Sequence, residues 1–190
     1  MKAMLSKAPG GPETLVLDDM EAPNPGAGEV RIRVRACGVN YPDTLIIEDK
    51  YQFRPDRPFA PGGEVSGEID AVGSDVTDVK IGDRVMALVS WGGMAEQVVT
   101  EAARCVPMPD SMPFDEAAAL IFTYGTSYHA LKQRARMCAG ETLLVLGAAG
   151  GVGLSTVELG RAMGARVVAA ASSDEKVALA MERGAHSGMV

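Results

Sequence analysis

The 190-residue sequence predicts a chain of two unlike parts: a β-rich barrel or sandwich of short strands, then the opening of a doubly wound parallel α/β sheet. Three observations carry this. Up to about residue 110, strand-length apolar runs recur between turns rich in Gly and Pro. At Ser111 the text turns helical, and from Thr142 it alternates strand, helix, strand, helix.

The first part is read from alternation. In "EVRIRVRA", Val30, Ile32, Val34 and Ala36 fall on one face and Arg31, Arg33 and Arg35 on the other. "EVSGEIDAVG" puts Val65, Gly67, Ile69 and Ala71 on one face, and "DRVMALV" and "AEQVVT" read as further strands. "NPGAGE", "PGG" and "GSDVTDVKIGD" are turns. "FDEAAALIFTYGTSYHALKQRA" predicts one or two helices, with Ser111 or Asp110 as cap and Gly125 as a break. Beyond it come a strand at Thr142–Leu146, a helix near Gly151–Met163, a strand at Arg166–Ala171 and a helix at Asp174–Arg183. The two expected domains are 1–120 and 121–190.

The join between the first of these strands and its helix is "LLVLGAAGGVGLS", with Gly147, Gly150, Gly151 and Gly153. In a strand–turn–helix of this kind, one glycine makes the tight turn, another lets the backbone approach a pyrophosphate, and the last lets helix and strand pack closely. Free N–H groups at the helix start then face the phosphates. The usual G-x-G-x-x-G appears as A-x-G-x-x-G, with Ala148 at the first position and Gly150 and Gly153 at the others. The segment Ala149, Gly150, Gly151, Val152 and Gly153 is therefore the expected phosphate cradle of a dinucleotide. A Walker loop is excluded, because no Gly-Lys-Ser/Thr follows. On the new helix, Val152, Thr156, Leu159 and Met163 share one face and are the expected packing stripe.

An NAD site usually carries Asp or Glu at the end of its second strand, on the ribose 2′-OH. Here "RVVAAA" runs into Ser172 and Ser173, with Lys176 close behind. Hydroxyls and an ammonium suit a 2′-phosphate, so the expected cofactor is NADPH, held at this end by Ser172 and Lys176. Asp174 and Glu175 are the competing feature; their ordinary role is in the first turn of a helix, where the dipole favours them. Lys176 reads equally as a solvated helix charge.

Composition is near the average for soluble globular proteins. Hydrophobic residues are 47% and charged residues 23%, ordinary for a globular chain. A net charge of −7 opposes binding to nucleic acid and to anionic membranes, leaving a small molecule as the expected partner. Cys37, Cys105 and Cys138 are widely spaced and odd in number, with no CxxC pair, so neither a disulfide framework nor a cysteine-based zinc lobe is expected. No apolar run reaches the ~18 residues of a spanning helix. A cytoplasmic location is the default expectation.

Taken together, "ACGVNYPDTL", "YQFRPDRPFAPGGEVSGEIDAVG", "IGDRVMAL", "TYGTSYHAL" and "GETLLVLGAAGGVGLSTVELGR" resemble the medium-chain dehydrogenase/reductase superfamily. The likeness is greatest to its zinc-independent NADPH:quinone oxidoreductase branch, which includes zeta-crystallin-like proteins and neighbours enoyl reductases. Glu158 departs from that pattern, which normally has Gln. The resemblance implies a GroES-like, partly closed barrel followed by a Rossmann-type doubly wound sheet, with a substrate or catalytic role for 1–120 and the N-terminal half of an NADP-binding domain in 121–190. It also implies a homodimer for a full-length parent.

Zinc alcohol dehydrogenases of this superfamily place a catalytic Cys and His in the stretches matching "CGVNYPD" and "PGGEVSG". Those positions are Asn40 and Gly63 here. Gly63 has no donor and an Asn amide is a poor zinc ligand, so no zinc is expected. Cys37, nearby, reads as a small buried hydrophobe. Without a Lewis acid, a nicotinamide hydride needs an acceptor that is already electrophilic, such as a quinone or a C=C conjugated to a carbonyl. By resemblance Asn40 and Tyr51 face nicotinamide and substrate, Tyr51 matching the proposed proton donor of enoyl reductases; the alternative for Tyr51 is a rim aromatic. Thr126 matches a threonine at the nicotinamide end, the alternative being a helix cap. Tyr41, Asp43 and Trp91 are structural or pocket residues, and His129 and His186 carry no signal.

A complete doubly wound domain has about six strands, whereas room remains after Thr142 for two strands, two helices and the start of a third strand at "SGMV". The expectation is thus a C-terminally truncated, incomplete sheet. The expected function is hydride transfer from NADPH to a quinone or other conjugated carbonyl. Its alternatives are an enoyl thioester reductase or, for a chain of this length, a non-catalytic nucleotide-binding or interaction module.

Overall fold

In the computed structural model, which describes all residues from Met1 to Val190, the chain divides into Met1–Ile121 and Phe122–Val190. A ribbon of β1 (Lys2–Leu5) and β2 (Val16–Asp19) opens the first unit. Ala3 and Ser6 make single bridges to Ala95 and Phe59. The main sheet is antiparallel: β3 (Glu29–Gly38), β4 (Glu64–Val72), β5 (Arg84–Leu88), β6 (Gln97–Glu101) and β7 (Cys105–Pro107), in the order β6-β3-β4-β5-β7. The alternation in β3 and β4 sets its register. Val30 and Ile32 from β3 meet Val65 and Ile69 from β4, with Val85, Ala87 and Val98, in one buried cluster. Each of the Val and Ile side chains contributes about 1.5–3 kcal/mol when fully buried. On the other face Arg31 pairs with Asp70 at 2.7 Å and Arg33 with Glu68 at 2.6 Å. Between β3 and β4 lies the seven-residue helix α1 (Tyr41–Ile47).

The helical text after Ser111 begins at α2 (Phe114–Ala117), whose N-cap is Pro113 rather than Ser111 or Asp110. Gly125 does not break the helix. It has φ −62 and ψ −44, ordinary right-handed values, inside a run of helical turns from Ile121 to Arg134. Two stretches of that run, Ile121–Gly125 and His129–Arg134, are π-helical, flanking the single turn α3 (Thr126–Tyr128). The wider turn shifts backbone bonds by one residue, as in Ala135 N to Ala130 O at 2.8 Å. The run absorbs its irregularity in hydrogen-bond register instead of at the glycine.

The second unit is a three-stranded parallel sheet, β8 (Thr142–Leu146), β9 (Arg166–Ala170) and β10 (Ser187–Met189), in the order β10-β9-β8. The helices α4 (Gly151–Ala162) and α5 (Asp174–Glu182) make the crossovers. Successive right-handed crossovers in one direction put both helices on one face. There Val157 and Ala180 join Val145, Val167 and Ala169 in a buried core. On the opposite face Leu144, Leu146 and Met189 are each more than half exposed. This is the incomplete doubly wound sheet expected from the sequence, third strand included. No helix is long and apolar enough to cross a membrane.

The packing stripe of α4 is not the expected one. Val152 is 44% exposed, whereas Val157 and Gly160 are buried. The face on the sheet is Gly153, Val157 and Gly160. A Cβ on Gly160 would lie 2.5 Å from Leu143 Cδ2. The helix lies so close to the strands that its contact face is made of small residues, which a search for large apolar ones passes over.

Candidate functional site

Gly147 ends β8 with φ +65, a left-handed conformation that suits glycine. The tight turn is made there, one residue before the motif's first position. Ala148 is consequently free to be an alanine, and it is fully buried in the core of the sheet. Its N–H donates to Ala170 O at 3.1 Å, tying the turn to the end of β9. Gly150 caps α4, with Leu154 N bonded to Gly150 O at 2.7 Å. Gly153 is the close-packing glycine: a Cβ there would stand 2.2 Å from Gly147 O.

Beside this turn opens a cavity of about 540 Å³ lined by Gly147, Ala149, Gly150, Ala170, Ala171, Ser172 and Lys176. Four of the residues expected to hold the cofactor, Ala149, Gly150, Ser172 and Lys176, are thus brought around one space. Gly151, Val152 and Gly153, also expected to hold the cofactor, do not line it; they form the first turn of α4, whose leading N–H groups have no intrahelical partner. Lys176 Nζ donates to Ser172 Oγ at 2.9 Å, so ammonium and hydroxyl form one polar end to the cavity. Asp174 and Glu175 are outside the lining, in the first turn of α5 behind its cap Ser173. A glycine turn, a helix start and a cationic end with no lining carboxylate fit a dinucleotide carrying an extra phosphate.

Thr126 does not line this cavity. It is exposed, and its hydroxyl donates to Phe122 O at 2.5 Å. Its neighbour Ser127 is buried and does more. Ser127 Oγ lies 2.8 Å from Ser155 Oγ, and Thr156 Oγ1 donates to Ser127 Oγ at 2.9 Å. Ser127 and Ser155 also donate to Val152 O at 3.1 and 3.0 Å. These hydroxyls clasp the irregular helical run to the first turn of α4. Motif reading missed them, although two small hydroxyls on facing helices are a recognisable signal for such a clasp. Glu158 accepts the Tyr124 hydroxyl and pairs with Arg183 at 3.2 Å.

In the first unit Asn40, Tyr41 and Asp43 stand at the start of α1, whereas Tyr51 packs on residues at its end. Asn40 N donates to Asp43 Oδ2 at 2.7 Å, and Asn40 Nδ2 donates to Glu64 Oε2 at 3.2 Å. Asp43 Oδ1 accepts from Gly62 N at 3.1 Å. Asp43 and Glu64 are both buried. Burial raises the Asp43 carboxyl above its usual range, against the opposing pull of the Asn40, Gly62 and Gly63 N–H groups. Tyr51 packs on Ile46, Ile47 and Phe59, its ring meeting Phe53 edge to face at 5.6 Å. Trp91 is 41% exposed, Tyr41 lies on the surface, and no group of three or more His, Cys, Asp or Glu side chains is placed to hold a metal.

Residues 26–110 match the alcohol dehydrogenase GroES-like domain. The quinone oxidoreductase-like protein 2 of Rattus norvegicus is 44% identical over 170 residues, which are 88% of this chain and 49% of that protein. The quinone oxidoreductase of the same species is 42% identical over 179 residues, 93% of this chain and 54% of its own. The quinone oxidoreductase of Thermus thermophilus, whose structure was also solved with NADPH, superposes with a TM-score of 0.86 at 40% identity, over 99% of this chain and 59% of that one. The chain belongs to the medium-chain dehydrogenase/reductase superfamily, in its quinone oxidoreductase-like branch. It spans about half the length of the curated relatives it matches.

Cys37 sits three residues before Asn40 and is half-buried. Burial, then Asp43 and Glu64, push its thiol up to about 12. A thiol held that high stays protonated and unreactive in mild alkali. A maleimide at mildly alkaline pH is expected to label exposed Cys138 first and Cys37 only after unfolding. Prompt labelling of Cys37 in the native chain would contradict that placement.

Proposed function

We propose that this chain binds NADPH and serves an oxidoreductase that moves a hydride to a quinone or another conjugated carbonyl acceptor. The observation that carries the reading is the cavity at the glycine turn. Its lining joins backbone N–H groups to Lys176 and Ser172 and contains no carboxylate. The NADPH complex of the Thermus relative supports the same cofactor. When bound, the nicotinamide supplies the hydride. Gly147 and Gly150 leave room for the pyrophosphate, the first turn of α4 donates to it, and Lys176 and Ser172 take the 2′-phosphate.

On the substrate side, Asn40 and Gly63 stand where zinc-dependent members carry ligands, and Gly63 brings no side-chain donor. The reading is therefore zinc-independent, with an acceptor electrophilic in its own right. Asn40 is the polar group for the cofactor or acceptor, and Tyr51 the proton donor where the acceptor is an alkene.

Calorimetric titration tests this. NADPH is expected to bind roughly tenfold to a hundredfold tighter than NADH, the worth of a charge-assisted phosphate contact. Lys176→Glu is expected to reverse the preference, and NADPH oxidation with a quinone to exceed that with an enoyl thioester. Equal or tighter binding of NADH by the wild-type chain would sink the assignment of Ser172 and Lys176.

A further inference from the structure

Glu64 is fully buried at the start of β4, and the reading above leaves it without a task. Burying a carboxylate is costly unless it is hydrogen-bonded. Its bond from Asn40 Nδ2, at 3.2 Å, has a directional consequence. An ionised carboxylate only accepts, so in that form Glu64 holds the nitrogen end of the Asn40 amide toward itself. The main chain of the same residue is held independently, by Asp43 at 2.7 Å. Space around the carboxylate is tight: a Cβ on Gly38 would come 3.0 Å from Glu64 Oε2. Asn40 is thereby gripped at backbone and side chain by two buried acids from different elements.

We propose that Glu64 is a positioning residue for Asn40, fixing which end of its amide is offered to the cofactor carboxamide or the acceptor oxygen. This rests on the reading of Asn40 as a site residue. An amide held in one orientation presents its second N–H and its Oδ1 in set directions. An untethered amide would average over both faces and offer the reacting groups a donor only part of the time.

Two variants and two readouts test it. Glu64→Gln keeps the shape and an acceptor oxygen but removes the charge. In NMR spectra of the chain, the Asn40 side-chain amide protons, identified by their loss in Asn40→Asp, are expected to shift upfield in Glu64→Gln. Turnover with a quinone is expected to fall roughly tenfold to a hundredfold, in kcat, with NADPH affinity unchanged. The exchange Asn40→Asp with Glu64→Gln restores a donor–acceptor pair of reversed polarity. It is expected to recover the thermal stability lost in Asn40→Asp alone, but not the turnover. Recovery of both would make the pair structural only and overturn the proposal, as would unmoved Asn40 resonances in Glu64→Gln. If the wild-type chain turns over no acceptor while those resonances still move, the hydride-transfer reading fails and the orienting contact stands.

Discussion

Gly153→Ala is expected to weaken NADPH binding tenfold or more and to cost the chain stability as well. The added Cβ would stand 2.2 Å from Gly147 O and 2.8 and 2.9 Å from Ala148 Cα and C. All three are backbone atoms of the turn, so no side chain can swing aside. Either α4 retreats from the sheet or the turn opens. Overpacking of this kind costs about 1–3 kcal/mol, against roughly 1 kcal/mol gained by alanine in a helix. The binding loss is the larger effect, because the turn and the helix start point several N–H donors at one place and move together. Gly150→Ala is the control. A Cβ there meets only Gly147 O, at 3.5 Å, an ordinary contact, and its φ of −79 is open to any residue. That variant should keep its stability while its methyl group intrudes on the phosphate space. Denaturant unfolding and calorimetric titration of both variants read the difference. A Gly153→Ala chain with wild-type affinity would show that the turn does not hold the phosphates.

The extent to which this could be read from residues alone varied with the kind of force involved. Alternation in β3 and β4 was legible because one face of the sheet is buried and the other wet, so period-two patterning survives in the text. The glycine turn was legible because its backbone geometry excludes most side chains, and the cavity brings Ser172 and Lys176 to one end as their order along the chain implied. Two features ran the other way. The contact face of α4 is Gly153, Val157 and Gly160, and glycines packed against a strand leave no hydrophobic signal. The helical run after Ile121 keeps Gly125 in its interior, since a shift to π-helical hydrogen bonds accommodates what propensity marks as a stop. Glu64 was silent for another reason: in sequence it is one acid among 25 Asp and Glu residues. Only its burial and its contact with Asn40 set it apart.

Asp43→Asn should destabilise the first unit although it is isosteric, and its cost should depend on pH. The two Asp43 oxygens accept from Asn40 N at 2.7 Å and Gly62 N at 3.1 Å, and the residue is 7% exposed. Asparagine offers one acceptor oxygen, so its amide nitrogen must face one of those N–H groups and leave it unpaired. An orphaned buried donor costs about 1–3 kcal/mol, and the loop carrying Gly62 and Gly63 loses its tie to Asn40. The pH dependence follows from burial. Because burial raises the folded carboxyl above its ordinary value of 3.8, the folded state binds the proton more tightly than the unfolded chain. Stability from this group is therefore greatest below 3.8 and declines as pH rises through the folded value, flattening above it. Asparagine has no such titration. The stability advantage of wild type over Asp43→Asn should accordingly shrink as pH rises through that window and then level off. Urea unfolding of both proteins across the acid range measures this difference directly. An advantage that grows with pH would mean the N–H donors outweigh burial and hold the Asp43 carboxyl low instead.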